Sequence, residues 1–277
     1  MDTSENIFNV DNALREMEYH YTQEKVSFGP YAPAYIVATQ ERLNNDMKYM
    51  YNKKDKKTCA KVLTVAASGD HPIFCKLYGA ENITTFDITY TAKVIMDIKT
   101  AAIQEFGLWD YESLIESCWN NKNLMSIKAI NKIMPYLDTN TQNYLCAMDG
   151  KFPLFIHGLE PFYSYSKLTK KQYKTLQKSV DAPFPFIWSD IANLDAKLGD
   201  NTYDFIHLSN IFDYVSNDVQ KSVLQQLIKR LNPGGRILMV RINGSYILDD
   251  ICQEIANASS NLGFVNYINK YLLVRIR

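Results

Sequence analysis

The chain has 277 residues, enough for one elaborated domain or a domain with a cap, and its 47% hydrophobic content is ample for a core. Thirty basic residues balance thirty acidic ones, which argues against a nucleic-acid partner, since phosphate binding needs a clustered basic excess. No stretch approaches the ~20 apolar residues of a membrane span, and the polar start Met1-Asp2-Thr3-Ser4-Glu5-Asn6 lacks the apolar run of a signal peptide.

Up to about Tyr51 the chain reads as an arm that is helical in pieces, broken at Gly29-Pro30 and again near Pro33. A charged turn, Tyr51-Asn52-Lys53-Lys54-Asp55-Lys56-Lys57, separates this arm or cap (1–57) from the main domain (58–277). Lys61 to Ala66 is a short β-rich apolar run ending in Ala67-Ser68-Gly69-Asp70. A helix follows with Pro72 near its first turn, where a missing N–H costs nothing. Ile83 to Asp87 is a second strand closing on an acid, and Ala92 to Phe106 reads as a helix. This β-α-β-α order is the repeating unit of a parallel sheet.

From 107 to 185 the alternation stops, and a helical, aromatic insert is expected. Leu124, Ile127, Ile130, Ile133 and Leu137 fall at helical spacing, with Lys128 and Lys132 off the stripe as a wet face. The alternation resumes with Phe186-Ile187-Trp188 and then Tyr203 to Leu208. Asp218 to Leu231 reads as a helix stopped by Asn232-Pro233-Gly234-Gly235, and Arg236 to Arg241 as a buried strand. A last helix, Ile247 to Leu262, precedes two strands whose closeness suits an antiparallel hairpin. The expected fold is a Rossmann-like α/β sheet of seven strands, five of them parallel, with helices on both faces.

In such a sheet, ligands bind at the carboxyl ends of the strands, near the point where strand order reverses. Gly69 there lets backbone approach a ligand and take positive φ, although the G-x-G-x-x-G dinucleotide fingerprint is missing. Asp87, 18 residues on and followed by Ile88, can accept both hydrogens of a ribose diol. Asp190 can accept from an adenine amino group with Ile191 against the ring; its structural alternative is a helix N-cap. Together these spacings point to nucleoside binding. His207 reads as a packed core histidine, and Trp188 and Phe212 as pocket walls or core. The five cysteines are scattered and form no C-x-x-C pair, which predicts free thiols in a reducing cytoplasm. Four dispersed histidines offer no obvious ligand set, so no metal is expected.

Tyr203-Asp204-Phe205-Ile206, a helix, and Leu231-Asn232-Pro233-Gly234-Gly235-Arg236 resemble the class I S-adenosylmethionine (SAM) dependent transferases over about 61–106 and 186–277. That resemblance implies SAM rather than NAD. A narrower one is carried by Val62 to Asp70 with Asp87, Lys99-Thr100-Ala101-Ala102-Ile103, Leu208-Ser209-Asn210-Ile211-Phe212-Asp213-Tyr214 and Gly150-Lys151-Phe152. These segments resemble the 3-amino-3-carboxypropyl transferases of betaine-lipid synthesis, which move the aminocarboxypropyl arm of SAM to diacylglycerol and release methylthioadenosine. The resemblance implies that Ser68, Gly69, Asp70 and Asp87, with neighbouring Ala67, hold SAM, and that Ser209, Asn210 and Tyr214 face its reacting end. The family's Trp-Glu-Asp segment is not evident in the arm, where Phe28-Gly29-Pro30-Tyr31-Ala32-Pro33 stands, which points to a small soluble acceptor instead of a lipid. Tyr214, Asp213 and Asp70 are the candidate bases, in that order. An Asp-Tyr pair that merely caps the next helix is the alternative for the first two. The rivals to aminocarboxypropyl transfer are methyl transfer and a non-catalytic SAM- or nucleoside-binding module. The oligomeric state is left open.

Overall fold

The computed structural model describes residues 41–52, 57–120, 127–147, 167–180, 183–241, 247–267 and 270–276. The proposed helix break at 29–33, Leu124 and the Gly150-Lys151-Phe152 segment lie outside them.

The arm enters with a short helix α1 (Leu43–Asp46) and a 3-10 turn (Met47–Met50). The charged run is flanked by a two-rung antiparallel ladder, Tyr51 with Thr58 and Asn52 with Lys57. Then come β1 (Lys61–Val65), α2 (Asp70–Leu77), β2 (Asn82–Asp87) and α3 (Tyr90–Glu105). The insert contributes α4 (Leu108–Asn120), α5 (Ile127–Ile133), α6 (Thr139–Ala147) and α7 (Lys170–Ser179). The second half runs β3 (Phe186–Trp188), α8 (Leu194–Lys197), β4 (Tyr203–His207), α9 (Asn217–Lys229), β5 (Leu231–Val240), α10 (Ile247–Asn257), β6 (Leu262–Tyr267) and β7 (Lys270–Arg275).

The seven strands form one sheet in the order β3-β2-β1-β4-β5-β7-β6. The first five are parallel, and β7 inserts antiparallel between β5 and β6. This is the Rossmann-like doubly wound sheet that the sequence predicts, with strand order reversing between β1 and β4. The period-2 alternation of β1 divides the core. Val62 packs into one layer with α2, α3 and the insert helices, while Leu63 and Val65 pack into the other with α8, α9 and α10.

Several boundaries differ from expectation for local reasons. Asn232-Pro233-Gly234-Gly235 is the bulged amino end of β5, not a stop outside the sheet. Tyr203 pairs with Leu231, yet Phe205 pairs with Arg236. Gly235 is required there, because a Cβ would come within 2.8 Å of the Asn232 carbonyl and 3.0 Å of the Tyr203 carbonyl. Asp204 pins this end: one oxygen accepts from Ala60 N and Lys61 N at 3.0 and 2.9 Å, and the other from Asn232 Nδ2 at 2.8 Å. The last helix closes at Asn257, five residues before the predicted Leu262, because that residue opens β6.

Arm and insert share the main core. Leu43, Met47 and Met50 are fully buried in the same cluster as Ile73 of α2 and Ile95 of α3, and so are Ile133, Tyr144 and Leu176 of the insert. The predicted stripe holds where it is described: Ile130, Ile133 and Leu137 are buried, and Lys128 and Lys132 are exposed. A buried polar knot fastens α6 to α3. Lys93 Nζ donates to Asp97, to Asp138 at 2.6 Å and to Thr141 Oγ1 at 3.0 Å. Among the described residues no helix is long and apolar enough to cross a membrane, and Cys59, Cys75, Cys146 and Cys252 are free thiols.

Candidate functional site

The crevice where strand order reverses is bounded by the carboxyl ends of β1 and β4. Both ends carry a non-glycine residue in the left-handed region, Ala67 at φ 46° and Ser209 at φ 54°. That conformation costs an L-residue about 1–2 kcal/mol, and such strain tends to concentrate at ligand sites. Gly69, at φ 80°, is the N-cap of α2. A Cβ on it would meet the Met96 Cα at 2.8 Å, so only glycine lets α2 start this close to α3.

Asp87, at the tip of β2, is 9% exposed. One of its oxygens accepts from Ala67 N at 2.9 Å, and the other from Thr89 N at 3.1 Å and Thr89 Oγ1 at 3.3 Å. Burial pushes its carboxyl above the usual range, while these donors pull it back. The carboxylate thereby holds the strained Ala67 turn from the tip of β2. Beside it Ile88 is 36% exposed, and its carbonyl accepts from Trp188 Nε1 at 2.9 Å. Tyr90 packs 5.2 Å from the Trp188 ring and 6.0 Å from Phe186, so an aromatic wall flanks the ends of β2 and β3. Tyr90, beside the Asp87 tip of β2, is a residue that the sequence reading did not single out.

The other candidates divide. Asp70 is 4% exposed, with both oxygens taken: Lys99 Nζ donates to one at 2.8 Å and Ser68 Oγ to the other at 2.8 Å. It serves as a buried counter-ion between α2 and α3, an arrangement that suits a proton-accepting role poorly. Asp190 accepts from Asn193 N at 2.9 Å and Asn193 Nδ2 at 2.8 Å within the turn before α8; the N-cap of that helix is Asn193, so Asp190 is not the helix N-cap that the sequence offered as its alternative. These bonds hold its carboxyl below the ordinary value although partial burial pushes it up. Ile191 is 7% exposed and packs into the core with Leu194 and Leu198. Asn210 Nδ2 donates to the Tyr214 hydroxyl at 3.1 Å, and Tyr214 is 40% exposed. Asp213 lies in the same 3-10 turn, Ile211–Tyr214. The structure therefore brings Ser209, Asn210, Asp213 and Tyr214 together on the loop after β4, the strand that lies beside and parallel to the β1 strand leading to Ala67, Ser68 and Gly69.

A fully buried group that the sequence reading did not assemble lies beneath that loop. Glu41, from the arm, reaches His71 of α2 and His207 at the end of β4. Glu41 Oε2 is 3.2 Å from His71 Nε2 and 3.5 Å from His207 Nε2. Ser209 Oγ donates to the other Glu41 oxygen. Burial, the largest single influence, pushes the Glu41 carboxyl up. The two histidines and Ser209 more than reverse this, to about 2. Burial pushes His207 down to about 3, so its ring is neutral. Positions 41, 71 and 207 carry no spacing signal, and only the fold unites them.

A cleft of about 480 Å³ opens at the opposite edge of the sheet, lined by Lys61, Asn82, Thr84, Phe184 and Tyr203 at the amino ends of the strands. Ligands of open α/β sheets gather at the carboxyl ends, so this cleft is set apart from the chemistry.

No family model and no curated protein matches this chain. Solved structures similar to it include the rRNA methyltransferase AviRa of Streptomyces viridochromogenes, at 10% identity over 89% of this chain and 87% of that one, TM-score 0.45. The N-methyltransferase NodS of Bradyrhizobium japonicum with S-adenosylhomocysteine is 11% identical over 96% and 98%, TM-score 0.40. The magnesium protoporphyrin IX methyltransferase ChlM of Synechocystis with bound SAM is 10% identical over 95% and 90%, TM-score 0.39. The fold assignment rests on the strand order itself, which puts this chain among Rossmann-like sheets with an antiparallel seventh strand.

Proposed function

We propose that this protein is a SAM-dependent transferase that moves the 3-amino-3-carboxypropyl group to a small acceptor and releases methylthioadenosine. The observation that carries the reading is the switch point between β1 and β4. The carboxyl end of each strand leads into a strained residue, Ala67 and Ser209, and the Asp87 carboxylate accepts from the Ala67 N–H. The finer choice of cargo is supported by the resemblance. Two of the segments that carry it, Ser68-Gly69-Asp70 and the helix with Lys99, are joined by the buried Asp70–Lys99 pair.

SAM supplies a sulfonium whose attached carbons are electrophilic and whose thioether leaves as a neutral molecule. Asp87 accepts from the ribose, the 67–69 loop brings backbone against the nucleoside, and the Tyr90–Trp188 wall borders the base. Asn210 and Tyr214 stand at the acceptor end, with Tyr214 the first candidate to take the acceptor proton and Asp213 the second. In the reaction the acceptor heteroatom bonds to the terminal methylene of the aminocarboxypropyl arm. The carbon–sulfur bond breaks and its electron pair stays on sulfur. Alignment and exclusion of water are what the protein contributes.

The test is to incubate the purified chain with SAM and a small-metabolite extract and identify the nucleoside product by mass. Methylthioadenosine supports the proposal, and the new mass names the acceptor. S-adenosylhomocysteine would replace it with methyl transfer. Bound SAM with no product from any acceptor would make the chain a binding module.

A further inference from the structure

We propose that Glu41, His71 and His207 form a binding site for a single divalent transition-metal ion of the zinc class, seated under the loop that carries Ser209 and Asn210. The three donors come from three separate parts of the chain, arm, α2 and β4, and their ligand atoms all lie within 4.8 Å of one another. Both histidines are fully buried, and the Glu41 side chain is 1% exposed.

The donor chemistry and the two carboxylate–imidazole distances agree. Two imidazoles and one carboxylate are a recurrent zinc donor set. With bonds of about 2.0–2.2 Å, a tetrahedral ion sets its ligand atoms about 3.3–3.5 Å apart. Glu41 Oε2 lies 3.2 and 3.5 Å from the two imidazole Nε2 atoms. The carboxylate is also aimed. Ser209 Oγ binds its far oxygen, so the near one is presented to both rings, the kind of support that fixes a metal ligand.

The hydrogen-bonding account independently asks for an occupant. A neutral histidine has one N–H and one lone pair to satisfy. His71 Nε2 can donate to Glu41, but neither ring nitrogen of His207 makes a hydrogen bond, although the side chain is wholly buried. Buried polar atoms without partners are rare, and an ion is one of the standard explanations. An ion bound to His207 Nε2 uses its lone pair. Three protein donors leave a fourth position for water or for an acceptor heteroatom. That last consequence rests on the transferase reading; the ion itself does not.

The experiment uses the full chain, stripped with chelator and titrated with Zn²⁺ and Co²⁺. Wild type is expected to retain one zinc per chain through gel filtration and to give the visible spectrum of four-coordinate cobalt. Glu41→Gln and His207→Gln should weaken binding by at least about a hundredfold. X-ray absorption at the zinc edge of the wild type should show imidazole scattering and no sulfur, a readout that stands even if a variant fails to fold. Stripped wild type that takes up neither ion, sulfur in the zinc shell, or folded variants that bind as well as wild type would each overturn the site. None of these readouts depends on turnover, so a metal-free transferase and a metal-binding non-transferase are told apart.

Discussion

The buried pair of Asp70 and Lys99 gives a sharp test of how the crevice is supported. Lys99 is 1% exposed and Asp70 4%, with Nζ to Oδ1 at 2.8 Å. Lys99→Met keeps most of the side-chain volume but leaves the Asp70 carboxylate with only the Ser68 hydroxyl among these partners. Breaking one side of a buried pair costs about 3–5 kcal/mol, whereas replacing both sides with neutral groups is often close to neutral. Lys99→Met should therefore lose about 3–5 kcal/mol, and Asp70→Asn with Lys99→Met should recover most of it. Denaturant melts at constant slope would measure the cycle. For a chain of this size the single variant should also melt about 6–20 °C lower. A double variant no more stable than Lys99→Met would refute the argument. Asp70 would then not be a counter-ion, and its place among the candidate bases would have to be restored.

Three other outcomes follow from the same geometry. Gly69→Ala should cost about 2–4 kcal/mol, from its left-handed φ and the Met96 backbone 2.8 Å from a Cβ. Gly199→Ala, at φ 56° with nothing within 4 Å, should cost only the conformational part; equal losses in thermal melts would contradict the packing argument. Asp87→Ala should weaken SAM binding by about 1–3 kcal/mol in calorimetry, and unchanged affinity in a folded variant would remove Asp87 from the ribose. For acid stability the signs differ within one cluster. His207, pushed down to about 3 by burial, stays neutral when the unfolded chain is protonated, so its contribution falls as pH drops from about 6.5 to 3. Glu41, held at about 2, contributes above its ordinary value of 4.5 and loses that as pH falls below it. Asp46, pushed up to about 6 by burial and by Glu41 against the pull of Lys270, works the other way between 6 and 3.8. In chelator-treated protein, the stability gap between wild type and His207→Gln should therefore shift toward the variant by about 1.4 kcal/mol per unit as pH falls below 6.5. A gap that does not move with pH would show that His207 does not titrate between the two states.

The sheet was legible because its signals are local. Strand runs such as Lys61–Val65 and Phe186–Trp188 alternate with helices, and the closing hairpin of β6 and β7 was evident from two apolar runs set close together. The carboxyl-end rule directs attention to Gly69, Asp87 and Asp190, and the resemblance adds Ala67 and Ser209, the two residues that take left-handed backbone at the switch point. What escaped was non-local. Nothing in the sequence marks Asn232-Pro233-Gly234-Gly235 as part of a strand, because its pairing depends on Tyr203 and Asp204 some thirty residues earlier. Asp70 looked like a ligand because its partner Lys99 lies 29 residues away, on a different helix. Glu41 was invisible for the same reason. Its partners are 30 and 168 residues distant, and in a list of four dispersed histidines two that meet in space look no different from two that do not.

That last cluster ties the arm to the crevice energetically. Glu41 is an anion in the core, and leaving such a charge without partners is costly. Its partners are His71, in the first turn after the β1 loop, and Ser209, whose left-handed backbone forms the β4 side of the crevice. Moving the arm would strand the carboxylate and release the side chain that braces Ser209. On the other side Asp87 braces Ala67 in the same manner, through its backbone N–H. Each strained residue of the switch point is thus held by a buried carboxylate from elsewhere in the chain. The strain can persist because two acids pay for it, and a change at either acid should reach the crevice without touching a ligand.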